Sequence, residues 1–258
     1  MITNSAELRF GRLLQQSFSA QAAEVARTLS RAVFEGGDVP EFTYWPERLV
    51  TAVRPVVTQL YHQGITESRR RLAGLRGVPA LRWPQRIAIS NGRIFGEKLK
   101  QLGVSFDLFD PKVLRAVDRA TLEFCEETNE TAVEKLKDAV VKLRELLKRG
   151  LEEGKATALL AREVKRIFAD PSRAYRIAAT ETSRALNAGA LLNAKESSLK
   201  LKKEWLASGD ACGQCLDLNG VQKGLDEPFL VDGTGPYARI MHPPLHPHCF
   251  CTWTEVLA

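Results

Sequence analysis

Apolar side chains recur at helical intervals from Ser5 to about residue 197, and strand-like alternation appears only after that. Leu8, Leu14, Phe18, Val25, Leu29 and Val33 predict a first helix over Ser5–Phe34, closed by the breaker cluster Glu35-Gly36-Gly37-Asp38-Val39-Pro40. Pro46 can open a second helix reaching about Leu72. Pro55 interrupts its pattern, so a kink or a boundary is expected there. A Gly- and Pro-rich loop over 74–84 and a shorter helix to Leu102 follow.

Asp110-Pro111 and Asp170-Pro171 each pair a capping carboxylate with a proline at the first helical position, where no amide hydrogen is needed. Behind the first, Val133, Leu136, Val140, Leu143 and Leu147 step by 3, 4, 3 and 4, a short heptad-like seam suited to packing against a neighbouring helix; Gly150 stops it. Glu153-Gly154 introduces an amphipathic helix with Leu159, Leu160, Val164, Ile167 and Phe168 on its apolar face. The helix from Pro171 to about Ser197 is rich in alanine, which permits close packing. It carries Arg173, Arg176, Thr180, Arg184 and Asn187 on one face. Arg176 and Glu181, five apart, are expected to meet the C-terminal segment rather than each other.

The last stretch changes character. Residues 201–207 around Trp205 and the run C-F-C-T-W-T-E-V-L over 249–257 read as strands, with a short one near 229–231. The chain therefore reads as α+β: mainly α-helical, with a small C-terminal β-containing module stapled by a Cys/His metal site. Three regions are expected: 1–109, an N-terminal helical region; 110–200, further helices; and 201–258, the Cys/His β module.

That module holds four of the five cysteines and three of the four histidines: Cys212 and Cys215 in C-G-Q-C, then His242, and His246, His248, Cys249 and Cys251 in H-P-H-C-F-C. Zinc takes about four Cys or His donors on a tetrahedron. Cys212 and Cys215 supply one pair. His246 and Cys249 repeat the two-residue gap after 30 intervening residues, and on a strand Cys251 would face the same side as Cys249. The candidate ligands are therefore Cys212, Cys215, His246, Cys249 and Cys251, one more than a tetrahedron needs, and His246 and Cys251 both remain open for the last place. A redox CxxC or a disulfide is the competing reading. The second cluster favours a structural metal, and a module this small needs a staple.

Composition is that of an ordinary globular chain, 44% hydrophobic and 26% charged, with a net charge of +6. Its distribution is uneven. Residues 66–100 hold nine bases (Arg69, Arg70, Arg71, Arg76, Arg82, Arg86, Arg93, Lys98 and Lys100) against Glu67 and Glu97. Residues 121–147 hold seven acids and four bases. The basic stretch suits phosphate or an acidic protein surface, or is a solvated helical face. No run of eighteen apolar residues is present, and the N-terminus has no apolar signal core, so folding in a reducing cytoplasm is expected.

Three segments, "RIAATETSRALNAGALLNA", "KEWLASGDACGQCLDLNGVQ" and "PPLHPHCFCTW", together resemble the Mu F-like family of phage head-morphogenesis proteins. The resemblance runs from about Leu143 to Thr254. It rests on Arg176, Thr180, Glu181, Asn187 and Gly189, on Trp205, Asp210, Cys212, Cys215 and Gly220, and on Pro243, Pro244, His246, Pro247, Cys249 and Cys251. His248 and Phe250 stand where similar proteins tend to carry a small polar residue and an arginine, so a phosphate or carboxylate contact by that arginine is not carried over. The resemblance implies a minor capsid protein of the virion, associated with the portal vertex and packaged inside the head. It would assist head morphogenesis, DNA packaging or genome delivery, and would be made in the host cytoplasm during assembly. Its partners would be the portal and the major capsid or scaffolding proteins, with packaged DNA as a further candidate. Some relatives carry toxin domains beside this module, and none is expected after Cys251.

Two other classes compete. A non-specific nucleic-acid-binding zinc protein would use Arg69, Arg70, Arg71, Arg76, Arg82, Arg86 and Arg93, because between Cys212 and His246 the only bases are Lys223 and Arg239. An enzyme would pair Glu181 with His242 or His246. No phosphate-binding Gly-rich loop or nucleophile elbow accompanies them, so no catalytic residue is assigned, and Arg176, Glu181 and Asn187 are read as structural polar groups.

Overall fold

Prolines open three of the helices. The computed structural model describes residues 5–34, 44–75, 110–148, 153–168, 170–231 and 238–258. The expected breaker at 35–40, the part of the loop and short helix over 76–102, and Gly150 lie outside them. Five long helices are described: α1 (Ser5–Phe34), α2 (Trp45–Leu75), α3 (Pro111–Lys148), α4 (Glu153–Phe168) and α5 (Pro171–Glu196). Pro46, Pro111 and Pro171 stand in the first turns of α2, α3 and α5, where an amide hydrogen would have no helical acceptor. The capping carboxylates act as expected: Asp110 Oδ1 accepts from the Lys112 amide at 2.8 Å, and Asp170 Oδ1 from the Ser172 amide at 2.9 Å.

The chain divides into two compact units, each built from two separate stretches. The first comprises Met1–Val56 and Asp118–Ala178, the second Val57–Val117 and Ala179–Ala258. Helix α2 runs unbroken through Pro55, and the division falls just after it, between Val56 and Val57.

In the first unit most of the predicted apolar positions among the described side chains form the core, but Leu8 at the start of the α1 stripe is exposed. Phe10, Leu14, Phe18 and Val25 of α1 are buried, with Trp45, Leu49 and Val53 of α2. Leu136, Val140 and Leu143 of the heptad-like seam are buried too, and so are Val164, Ile167 and Phe168 of α4. Two edge-to-face ring contacts join the elements, Phe10 with Phe124 at 5.7 Å between centroids and Trp45 with Phe168 at 5.4 Å. The Arg173 guanidinium lies 4.7 Å from the centre of the Phe18 ring, so the first residue of the polar stripe covers a core aromatic.

In the second unit β1 (Leu201–Leu206), α6 (Gly213–Asp217), β2 (Gln222–Gly224), β3 (Phe229–Leu230), β4 (Arg239–Ile240) and β5 (Thr252–Leu257) follow α5. They form a three-stranded antiparallel sheet in the order β2-β1-β5 and a separate β3-β4 hairpin. The register sets Trp205 opposite Trp253 and Lys203 opposite Glu255, so all four share the buried face of the sheet. Leu72, Ala190, Leu191, Ala194, Leu201 and Trp253 make one apolar cluster. Trp205, Leu218, Phe229 and Leu245 make another with Cys215, Cys249 and Cys251.

The two charged residues on that buried face are both satisfied. Glu255 accepts from Ser68 Oγ at 2.6 Å and takes a two-pronged contact from Arg71, while Asn193 Nδ2 donates to Ser68 Oγ at 3.0 Å. Lys203 Nζ donates to the carbonyls of Met241 at 2.8 Å and Leu225 at 3.3 Å. Burial pushes the Lys203 ammonium down to about 8.

Candidate metal centre

The Cys/His donors converge because α6 and a tight turn ahead of β5 bring them together. Cys212 immediately precedes α6 and Cys215 lies inside it, so one helical turn places both thiols on one side; the Leu216 amide closes that turn on the Cys212 carbonyl at 3.0 Å. On the other side the Cys249 amide donates to the His246 carbonyl at 3.1 Å, with His248 at the left-handed φ of 63°. This is a tight turn whose third residue, normally glycine, is held in place: its amide donates to Thr180 Oγ1 on α5 at 3.2 Å. Cys249 and Cys251 therefore sit between that turn and β5. They do not lie on a strand, which begins only at Thr252, contrary to the alternation of the sequence.

Three pairs of donor atoms lie near ligand separations. Cys212 Sγ is 3.2 Å from His246 Nε2, Cys215 Sγ is 3.5 Å from the same nitrogen, and Cys215 Sγ is 3.7 Å from Cys249 Sγ. On a zinc tetrahedron, metal–donor lengths of about 2.3 Å to sulfur and about 2.0 Å to nitrogen give edges of about 3.8 Å between sulfurs and about 3.6 Å between sulfur and nitrogen. His246 is aimed for the task as well. Its Nδ1 lies 2.8 Å from the Pro247 carbonyl, which can only accept, so the proton sits on Nδ1 and Nε2 offers its lone pair to the sulfurs. Two groups of three donors each lie within 4.8 Å: Cys212, Cys215 and His246, and Cys215, Cys249 and Cys251. All five cysteines are unpaired thiols, and the cluster could bind a metal ion.

The thiols differ electrostatically. The Cys215 amide, ahead of the His246 contact, stabilises the Cys212 thiolate and lowers its pKa. Burial raises Cys215, with the neighbouring Cys249 sulfur adding to it, and burial also raises Cys249. Crowded, desolvated thiols of this kind resist ionising together unless a cation shares the site.

Other residues singled out from the sequence fall elsewhere. Asn187 reaches the module: its Oδ1 accepts from Thr252 Oγ1 at 2.8 Å, and its carbonyl accepts from Trp253 Nε1 at 3.2 Å. Arg176 lies 3.8 Å from Asp170, and Glu181 lies 3.4 Å from Arg184 on its own helix. His242 Nδ1 is 2.7 Å from the Pro243 carbonyl. Of the basic stretch, Arg69 is half-buried on α2, Arg70 pairs with Glu67 one turn earlier, and Arg71 pairs with Glu255. Arg76, Arg82, Arg86 and Arg93 lie outside the described residues. Sequence reasoning missed the Ser68–Arg71–Asn193–Glu255 network and buried Lys203. The available signal was parity: Lys203 alternates with Leu201 and Trp205, and Glu255 with Trp253.

Residues 141–254 match the family model described as Phage Mu protein F like protein. The matched segment begins within α3, takes in α4, α5 and all five candidate ligands, and ends within β5. No curated protein and no solved structure matches the chain.

Proposed function

We propose that this chain, whose residues 141–254 match the phage Mu protein F like family model, is a minor head protein of a tailed phage. In this reading it is portal-associated and packaged inside the head, where it assists morphogenesis, DNA packaging or genome delivery. Its partners are the portal and the major capsid or scaffolding proteins. The observation that carries the reading is the extent of the family match, which covers helices and Cys/His module as one piece. The role is structural: Glu181 lies 3.4 Å from Arg184 on its own helix, and His242 Nδ1 and His246 Nδ1 lie against the backbone carbonyls of Pro243 and Pro247.

Within that role the cluster is a structural zinc site. Three thiolates and one imidazole are the donor chemistry zinc selects; Cys212 and Cys215 stand against His246 Nε2, and Cys215 against Cys249, near tetrahedral separations, and His246 Nδ1 is already held by a backbone carbonyl. A bound ion would supply the positive charge that lets Cys215 and Cys249 ionise together. Cys212, Cys215, His246 and Cys249 hold it, fixing α6 against the turn before β5 and leaving Cys251 over.

The test is the protein content of particles. Heads purified from cells expressing a tagged copy should contain the chain at low copy, and cross-linking should join it to the portal. Particles that assemble, package and infect normally without the gene would overturn the proposal.

A further inference from the structure

The surplus donor is placed where it can serve. The two donor groups share Cys215, and they differ in access: Cys212 is exposed, whereas Cys215, Cys249 and Cys251 are buried. Cys251 is 1% exposed, in a cluster with Trp205, Leu218, Phe229 and Leu245. Its other contact is Ser208 Oγ at 3.9 Å, a weak hydrogen bond that costs little to give up. Its sulfur lies within 4.8 Å of the Cys215 and Cys249 sulfurs, close enough for it to join them around one ion.

We propose that Cys251 is a reserve ligand that takes the place of Cys212 when the exposed thiol is withdrawn. The site then alternates between a solvent-facing set (Cys212, Cys215, His246 and Cys249) and an inner set (Cys215, His246, Cys249 and Cys251). This rests on the metal reading above. Both sets supply three thiolates and one imidazole, so charge and ligand chemistry are unchanged and only access differs. The consequence is a staple that tolerates loss of its outermost ligand. The exposed Cys212 can react with a thiol reagent or engage a partner's surface while the module stays folded.

Zinc content of the full-length chain and of its variants tests this. Wild type should carry one zinc per chain, and Cys212→Ser and Cys251→Ser should each keep it. The Cys212→Ser/Cys251→Ser double variant should lose at least tenfold in zinc affinity, as should Cys215→Ser. Because a variant can fail for want of folding, a second experiment uses the unmodified zinc-loaded protein: iodoacetamide should alkylate Cys212 with zinc retained. Zinc released in step with Cys212 alkylation, or lost from Cys212→Ser but kept by Cys251→Ser, overturns the reserve ligand and leaves the metal reading standing. Wild-type protein without zinc overturns both.

Discussion

Gly64 on α2 and Gly189 on α5 occupy the same close backbone crossing from opposite sides. A Cβ on Gly64 would fall 2.0 Å from the Leu186 carbonyl oxygen, and one on Gly189 would fall 2.3 Å from that of Tyr61. Each glycine thus admits the other helix's backbone. On a solvent-facing helix Gly→Ala is stabilising by about 1 kcal/mol through helix propensity. Here the sign reverses.

Gly64→Ala and Gly189→Ala should each destabilise the second unit by about 1–3 kcal/mol, the usual cost of overpacking. Their effects should not add, because the first substitution already separates the helices that the second would separate. Urea unfolding of the two single variants and the double variant checks both points. Additive losses would mean that the glycines act at independent contacts.

The Arg71–Glu255 pair makes a second prediction. The Glu255 side chain is 0% exposed and Arg71 is 28% exposed. Removing one partner of a buried pair strands the other, at about 3–5 kcal/mol for full burial. Glu255→Gln keeps an acceptor for Ser68 but leaves Arg71 unpaired at a partly wet position, so a loss near 3 kcal/mol is expected. Denaturant midpoints measure it. Arg71→Met should cost more, because the carboxylate it strands is fully buried.

His242 gives the second unit a pH dependence. Burial pushes its imidazole down to about 4 from 6.5, with the charges of Arg184, Lys203 and Lys195 acting in the same direction; the contact with the Pro243 carbonyl opposes them. Between those values the unfolded chain binds a proton that the folded chain refuses. Stability is therefore complete above about pH 6.5 and falls as pH drops towards 4. The full shift corresponds to roughly 3 kcal/mol, and the real loss is smaller to the extent that water reaches this partly exposed residue. Acid also protonates the cluster thiolates, so the informative measurement is the difference in slope between wild type and His242→Gln, both zinc-loaded. Equal slopes from pH 6.5 to 4 would remove His242 as the cause.

How far the sequence led depended on whether a residue's role was local. The Asp110 and Asp170 caps, the apolar faces of α1 and α4, and the convergence of Cys212 with Cys215 all follow from neighbours within a turn or two, and periodicity or spacing shows them. The Glu255 network was hidden for the opposite reason: Ser68 and Arg71 are more than 180 residues away from Glu255, and nothing in a charged residue's type announces burial. The strand assigned to Cys249 failed on one residue. Once His248 takes a positive φ, the chain turns where alternation alone reads it as extended.

Metal removal should unfold the module selectively. In so small a module the binding free energy is folding free energy. Trp205 lies in the cysteine cluster and Trp45 in the first unit. A strong chelator should therefore expose Trp205 to iodide quenching while most helical circular dichroism persists, and added zinc should reverse the change. Complete loss of the helical signal at the same chelator concentration would show that the cluster supports more than its module.

Glu181→Gln separates a structural protein from an enzyme. The substitution keeps the side chain's shape and removes only its charge, which weakens its electrostatic pairing with Arg184 one turn away. Arg184 is 43% exposed but Glu181 only 15%, and loss of a charge-assisted contact at such a position costs about 1–3 kcal/mol. The variant should fold, enter particles and support infection, at most with some sensitivity to temperature. Cys215→Ser should do the reverse, because it removes a ligand common to both coordination sets and disrupts the module itself. Complementation of a deletion phage with each variant, together with thermal melts and the protein content of the particles, distinguishes the cases. Glu181→Gln protein that is stable and fully incorporated, in particles that cannot infect, would assign the carboxylate a chemical role and overturn the structural reading.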